Sequence, residues 1–380
     1  MRYYIIAGEA SGDLHASNLM REMKLLDPEA IFRCWGGDLM QQQGGELVKH
    51  YRDLAFMGFM EVIAHLPTIL KNFRFCEEDL VSFQPDVLIL VDYPGFNLKM
   101  AKFAARKGIR VFYYISPQLW AWRSSRVQSI RKYVEKMFVI LPFEKEFYAR
   151  YHYPVDYAGH PLLDVIHKEM NTQSREAFLV KNGLPDRRMV ALLPGSRKME
   201  IEKMLHMMTS VVSSFPGYQF VIAAAPSIPA DFYERILKRT GVRMVINQTY
   251  DLLSHSDAAL VASGTATLET ALMEVPQIVC YKGNALSYLI ARQLVHVPFI
   301  SLVNLIAGKK VVPELIQSEL NQKNLVRSLT EILENGPLRQ RILDDYKVLK
   351  RDLGGSGASG RVAALMIQYL RKNQVPFKPI

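Results

Sequence analysis

Arg2-Tyr3-Tyr4-Ile5-Ile6-Ala7-Gly8-Glu9-Ala10-Ser11-Gly12-Asp13 sets an apolar run directly against a turn that contains glycine, and a helical pattern follows. A run of this kind suits a strand buried on both faces of a parallel sheet. Gly8 and Gly12 let the backbone turn tightly and come close to a ligand, while the next helix offers unpaired N–H groups at its start. The spacing is not the G-x-G-x-x-G of a dinucleotide site. It is not a Walker A loop either, because no Gly-Lys-Ser/Thr follows. Glu9 within the turn repels phosphate and suits sugar hydroxyls. The same residues also fit an ordinary strand-to-helix turn with a capped helix.

Outward from this stretch the pattern recurs. Short apolar runs at 2–7, 31–35, 87–91, 111–115 and 136–140 alternate with helical segments such as 11–26 and 97–106. A further short run at 155–157 leads to Gly159-His160-Pro161. A charged helical stretch then reaches Asn182, and the pattern restarts with runs at 190–193, 219–223, 242–246, 258–262 and 277–280. Alternation of this kind specifies an α/β chain with doubly wound parallel sheets. The restart gives two Rossmann-like domains facing a cleft, with a hinge at 159–165. The expected division is 1–165 and 166–358, with a last helix at about 359–380 returning to the first domain. In such sheets ligands sit beyond the carboxyl ends of the strands, so the loops there are the places to look.

Composition narrows the class. Forty-nine per cent apolar residues over 380 positions is enough for two cores and argues against disorder. The formal net charge of +10 attracts anions. Its basic residues are scattered, as at Arg106-Lys107, Arg131-Lys132 and Lys309-Lys310, without a dense tail or a zinc-finger spacing, which argues against nucleic acid. Three separated cysteines, Cys34, Cys76 and Cys280, form no disulfide or metal framework and fit a reducing cytosol. Ile5-Ile6-Ala7 is too short a core for a signal segment, and no run approaches the length of a spanning helix. No Asp-x-Asp pair with metal spacing is evident, and neither a metal nor a cofactor is expected.

Four more strand ends carry chemistry. Asp92-Tyr93-Pro94-Gly95-Phe96-Asn97 places a carboxylate where it can take a proton from a hydroxyl, or where Asp92 or Asn97 simply caps a helix. Ser116-Pro117-Gln118-Leu119-Trp120-Ala121-Trp122-Arg123, followed by Arg126, combines apolar rings with guanidinium forks. That suits a greasy phosphorylated ligand, or a loop anchored in the core. Leu193-Pro194-Gly195-Ser196-Arg197 precedes a helix from Glu200 and gathers turn amides and an Arg for a diphosphate, or is a plain turn. Ala262-Ser263-Gly264-Thr265-Ala266-Thr267-Leu268-Glu269 offers hydroxyls for phosphate, with Glu269 placed to accept from ribose. Asn304 and Pro313-Glu314-Leu315-Ile316-Gln317 follow.

Taken in order with Leu141-Pro142-Phe143-Glu144 and Gly159-His160-Pro161-Leu162, these motifs resemble the lipid-A-disaccharide synthase family over nearly the whole chain. The resemblance implies a GT-B fold in a Gram-negative lipid A pathway. The implied reaction joins UDP-2,3-diacylglucosamine to 2,3-diacylglucosamine 1-phosphate through a β(1→6) link, with inversion and release of UDP. It further implies a cytoplasmic protein held peripherally at the inner membrane. Some relatives form dimers, and a homodimer is left open here. The alternative is another GT-B enzyme acting on UDP-N-acetylglucosamine, a transferase or an epimerase. One departure stands out: many relatives carry a second acid where this chain has Gly95.

On this reading Asp92 is the base, with Glu9 its rival and His15 a weaker one. Arg197, with the Gly195 and Ser196 amides, neutralises the leaving diphosphate, helped by Ser263, Gly264, Thr265 and Thr267. Glu269 holds ribose, and Asn304, Glu314 and Gln317 contact the donor. The acceptor side is Glu9, Ser11, Asn97, Trp120, Trp122, Arg123 and Arg126. Phe59, Val62, Ile63, Leu66, Ile69 and Leu70, continued by Phe73, recur at helical spacing near Lys71 and Arg74. That stripe is either a membrane-facing surface or the face a helix buries on its own sheet.

Overall fold

The computed structural model describes residues 1–54, 66–122, 126–169, 173–225, 228–238, 240–284 and 297–372. Two compact units result. The first holds Met1–Pro161 and resumes at Gly354; the second is Leu162–Leu353. Both crossings fall a few residues before the expected 165/166 and 358/359.

The first unit is built on a parallel sheet of β1 (Arg2–Ala7), β2 (Ile31–Gly36), β3 (Glu46–His50), β4 (Val87–Val91), β5 (Arg110–Tyr114), β6 (Lys136–Val139) and β7 (Asp156–Tyr157). Their spatial order is β3-β2-β1-β4-β5-β6-β7. All of β4 and all but the first residue of β1 are buried, as unbroken apolar runs require. Two apolar layers sandwich the sheet. One face carries Tyr4, Ile6, Leu88 and Leu90 under the helices Leu66–Phe83 and Pro94–Arg106. The other carries Tyr3, Ile5, Val87 and Ile89 under Ala10–Leu26 and Ala358–Lys372.

Polar ties fix both layers. Asp79, on the helix Leu66–Phe83, accepts the Arg33 guanidinium (Nη2–Oδ1 2.6 Å, Nε–Oδ2 2.9 Å) and the Tyr4 hydroxyl at 2.7 Å. Tyr4 in turn accepts from Trp35 Nε1 at 2.9 Å. On the opposite face Arg110 forks onto Glu135 and also donates to the Tyr369 and Leu370 carbonyls at 3.0 and 3.3 Å. Arg361 Nε donates to Ala158 O at 2.7 Å. The last helix is thereby sewn into the first unit at both ends.

The second unit repeats the plan with β8 (Arg188–Leu193), β9 (Tyr218–Ala224), β10 (Arg243–Ile246), β11 (Ala258–Ala262), β12 (Gln277–Tyr281) and β13 (Glu314–Ile316), in the order β10-β9-β8-β11-β12-β13. In each sheet the winding reverses beside the first strand, between β1 and β4 and between β8 and β11. Four turns flank those two reversal points: Gly8–Gly12, Asp92–Gly95, Pro194–Arg197 and Ser263–Thr265. All four were singled out from the sequence.

The Asp79 carboxylate is 9% exposed and its Arg33 partner 24% exposed. Asp79→Ala leaves the half-buried Arg33 guanidinium with Glu46 as its remaining carboxylate and deprives the Tyr4 hydroxyl of its acceptor, and should destabilise the first unit by about 1–3 kcal/mol. Trp35, Trp120 and Trp122 all lie in that unit. Urea unfolding followed by tryptophan fluorescence therefore reads the loss directly.

Candidate active site

At the β4 end the backbone leaves the sheet through two consecutive left-handed residues, Asp92 (φ 45°) and Tyr93 (φ 48°). Neither is glycine, so the turn is strained and must be held. Tyr113 Oη donates to the Asp92 carbonyl at 2.6 Å, and Asn97 Nδ2 donates to the same oxygen at 2.7 Å. Pro94 then starts the helix with its fixed φ. The Tyr93 ring lies over Gly8, where a Cβ would run into it. Gly8 is thus required for close packing of the two turns.

This arrangement leaves Asp92 half-buried, with its carboxyl largely desolvated. Desolvation, with the charge of Glu9 adding to it, pushes its carboxyl up to about 6, against a smaller opposing pull from the Tyr93 N–H. Glu9 is exposed, at the N-cap of Ala10–Leu26, and makes no capping bond. Ser11 is exposed, and His15 is buried a turn into the helix. Asp13, although part of the same motif, faces elsewhere. Its carboxylate accepts from the Gly37, Leu39 and Met40 amides at 2.9, 3.2 and 3.1 Å and so caps the helix Asp38–Gln42.

Asn97 needs correction. It is fully buried, and its Nδ2 points at the Ile6, Val91 and Asp92 carbonyls, so it braces the turn and does not face an acceptor. Gly95 is exposed, and a Cβ there meets nothing within 4 Å, so the position of the relatives' second acid is open space.

After β5, Ile115 is left-handed as well (φ 63°), a rare state for a β-branched residue. This ends the strand one residue before the expected 115. Ser116 Oγ donates to Glu144 Oε1 at 2.6 Å, while Glu144 Oε2 accepts from the Leu141 and Ile140 amides at 2.9 and 3.2 Å. Burial pushes the Glu144 carboxyl up to about 7. Glu144 was noted in the sequence without a role; an acid just after a strand and a proline was the signal for it. Trp120 is half-buried, edge-on to Phe143 at 5.0 Å. Arg126 is half-buried at the N-cap of Val127–Tyr133, close enough for its charge to act on Tyr113. Arg123 and the Trp122 side chain lie outside the described residues.

The apolar stripe divides. Phe59, Val62 and Ile63 lie outside the described residues, as does the Leu66 side chain. Ile69 packs on the core and Phe73 is buried, stacked on Phe96 at 4.4 Å. These two are corrected from a membrane-facing to a core assignment. Leu70 is 51% exposed, on the outer side with Phe75 at 43%.

In the second unit a cavity of ≈ 300 Å³ opens at the β8 and β11 ends, lined among others by Gly195, Ser196, Glu200, Gly264, Thr265 and Glu269. Gly195 takes φ 105°, which only glycine tolerates, and a Cβ there would run into Glu200. Glu200, the third residue of the helix Lys198–Thr209, turns its carboxylate back against Gly195, and burial raises its carboxyl above the usual range, opposed by the neighbouring turn amides and the Arg197 charge. Arg197 itself is exposed. Glu269 accepts from the Tyr250 hydroxyl at 2.9 Å, and burial raises its carboxyl above the usual range.

Three expected donor contacts turn inward. Thr267 is fully buried and donates to the Gly264 carbonyl at 2.8 Å. Asn304 is fully buried too. Its Nδ2 donates to Val312 O at 3.0 Å and Glu314 Oε1 at 2.8 Å, and its Oδ1 accepts from the Val311 and Val312 amides. Glu314 accepts from the Ile300 and Ser301 amides and the Ser301 hydroxyl. These two residues knot β13 to the helix Leu302–Ala307; Asn304 has no bonding capacity left for a ligand, while half-buried Glu314 keeps one free acceptor site on Oε2. Ser263 Oγ donates to Ile300 O at 3.0 Å, yet the residue still lines the cavity. Gln317 is left-handed (φ 53°), and its buried Nε2 has no partner among the described residues.

Comparison with known proteins agrees with this layout. A family model described as lipid-A-disaccharide synthetase matches residues 3–359. Lipid-A-disaccharide synthase of Geobacter sulfurreducens is 39% identical over 98% of both chains. That of Syntrophus aciditrophicus is 41% identical, covering 97% of this chain and 98% of its own. Among solved structures, the S. aureus MnaA-UDP co-structure superposes with a TM-score of 0.68 at 13% identity, covering 100% of this chain and 99% of that one. UDP-GlcNAc 2-epimerase from Neisseria meningitidis bound to UDP-GlcNAc gives 0.65 at 13% identity, covering 98% and 100%. At such identities the structural likeness concerns the fold alone, which is of the GT-B type. The sequence likeness goes further, and the chain belongs to the lipid-A-disaccharide synthase family.

Proposed function

We propose that this glycosyltransferase of lipid A biosynthesis condenses UDP-2,3-diacylglucosamine with 2,3-diacylglucosamine 1-phosphate, and that Asp92 is its general base. The observation that carries the assignment of the base is the strained turn that presents half-buried, desolvated Asp92 at a reversal point of the first sheet. Strain and burial of a carboxylate cost stability, and such costs collect at functional sites. Asp92 takes the proton of the acceptor's 6-hydroxyl as its oxygen attacks the anomeric carbon and UDP departs on the opposite side. A base raised to about 6 is stronger than an ordinary carboxylate and still ionised at neutral pH. Glu9 is exposed to water and lacks this environment. Arg126 and Trp120 suit the acceptor's phosphate and apolar portion.

In the second unit Glu269 accepts from ribose hydroxyls, and Thr265 and the exposed Arg197 meet the diphosphate. Charge on the leaving group is thus balanced by a guanidinium and a helix start, without a metal. Peripheral contact with the inner membrane is proposed through the outer face of Leu66–Phe83, where exposed Leu70 and Phe75 stand beside exposed Lys71 and Arg74. No helix among the described residues is long and apolar enough to cross a membrane.

Three experiments test these assignments. Purified protein in detergent with EDTA should release UDP from UDP-2,3-diacylglucosamine only when the diacylglucosamine 1-phosphate acceptor is present; release without acceptor, or dependence on added metal, contradicts the scheme. Asp92→Asn should lower turnover by roughly 10²-fold or more. The wild-type rate should fall as pH drops through about 6, when the base is protonated. Because burial holds the folded-state value above the usual carboxylate range, ionised Asp92 costs stability at higher pH, so the Asn variant should melt no lower than wild type at pH 8. Finally, Leu70→Glu should weaken co-sedimentation with anionic vesicles while leaving the melting curve unchanged.

A further inference from the structure

The turn at Asp92 is held by a side chain from a different strand. Tyr113 sits on β5, opposite Leu90 in the parallel ladder, and is fully buried in the core layer beneath the helices Leu66–Phe83 and Pro94–Arg106. A phenol has one proton to give, and Tyr113 gives it to the Asp92 carbonyl at 2.6 Å. Asn97 Nδ2 donates to the same oxygen at 2.7 Å and lies 3.2 and 3.4 Å from the Val91 and Ile6 carbonyls. The two donors fill both lone pairs of the Asp92 oxygen. The Asp92 amide donates in turn to Tyr114 O at 3.2 Å. The peptide that follows Asp92 is thereby pinned from β5 and from the helix Pro94–Arg106. Asp92 and Tyr93 are both left-handed, at φ 45° and 48°, a state that residues other than glycine leave readily unless held. The direction of a Cα–Cβ bond follows from the backbone torsions around it. Relaxed to an extended or right-handed state, the turn would aim the Asp92 carboxylate elsewhere.

We propose that Tyr113 is a positioning residue for glycosyl transfer: its hydroxyl keeps the Asp92 turn left-handed and so aims the carboxylate at the acceptor hydroxyl, without itself meeting substrate. The proposal rests on the reading of Asp92 as the general base. Full burial takes Tyr113 out of reach of the acceptor, so its action runs through the backbone of Asp92. Asn97 shares the hold but also ties β1 to β4 through the Ile6 and Val91 carbonyls, which makes Tyr113 the position where the hold can be released alone. Precision of this kind governs rate, since displacing a reacting group by about 1 Å costs on the order of 10²-fold. A contact that orients a group for the transition state shows in kcat and leaves KM in place.

The test is steady-state kinetics of full-length wild type, Tyr113→Phe, Asp92→Asn and the double variant, in detergent with UDP-2,3-diacylglucosamine and 2,3-diacylglucosamine 1-phosphate, together with melting curves. Phe fills nearly the same volume, so the core stays packed. Tyr113→Phe should lower kcat by roughly tenfold or more, with both KM values within about twofold of wild type. In the Asp92→Asn background the same substitution should cost less than about twofold, because no carboxylate remains to be aimed. A purely structural role predicts a lower Tm with wild-type kcat below the melting range, or rate losses that multiply in the double variant. Either result overturns the inference and leaves the reading of Asp92 intact. Near-normal turnover by Asp92→Asn overturns the base reading, and the inference with it. Should Tyr113→Phe not fold, Asn97→Ser takes the other donor from the same oxygen; there too, a wild-type kcat or a loss that multiplies with Asp92→Asn overturns the inference.

Discussion

A parallel sheet covered by helices on both faces meets solvent only at its strand ends, and the layout of this protein follows from that restriction. Every connection must leave at a carboxyl end, cross over a face and return at an amino end. Where successive crossovers change face, two neighbouring turns diverge and expose the amides of two helix starts. The chain does this twice, beside β1 and beside β8. The first pair of turns concentrates carboxylates, Glu9 and Asp92, and the second concentrates a guanidinium and small hydroxyl residues. One fold, repeated, thus sets carboxylates at one reversal point and a guanidinium with small hydroxyl residues at the other.

The strands that carry these turns were legible because they are fully buried, and complete burial leaves an unbroken apolar run. β3 and β13 were not anticipated. Glu46-Leu47-Val48-Lys49-His50 lies at a sheet edge, where half the residues meet water, and β13 has only three residues. The turns were legible from glycine and position, but the direction of each polar side chain within them was not. Asn97, Asn304 and Thr267 sit in the right motifs and yet point inward. Their partners, such as the carbonyl of Asp92, the pair Val312 and Glu314, and the carbonyl of Gly264, become visible only when the backbone is placed. Asp13 is the same lesson over a longer span, since the amides it caps lie on a separate helix. Glu200 was overlooked because an acid in the first turn of a helix ordinarily needs no further account.

The two acids raised by burial in the first unit differ in what surrounds them. Glu144 receives a hydroxyl and two amides and serves as an internal brace for the loop after β5. Asp92 has its backbone bound by Tyr113 and Asn97, while among the described residues its carboxylate has only the Tyr93 N–H acting on it. One acid is saturated with donors; the other is held by its backbone and has a carboxylate with acceptor sites to spare.

The helix Ala358–Lys372 also has a bearing on how the protein is made. Residues 162–353 form their unit from one uninterrupted stretch, whereas the sheet that begins at Arg2 finishes one of its faces with the last helix of the chain. During synthesis the earlier-translated sheet emerges with Tyr3, Ile5, Phe112 and Phe138 still lacking that cover. The later unit can complete itself first, and the beginning closes only once the helix Ala358–Lys372 has emerged. Order of translation and order of folding are thus reversed, and the amino-terminal half is the part that depends on protection while the polypeptide is growing.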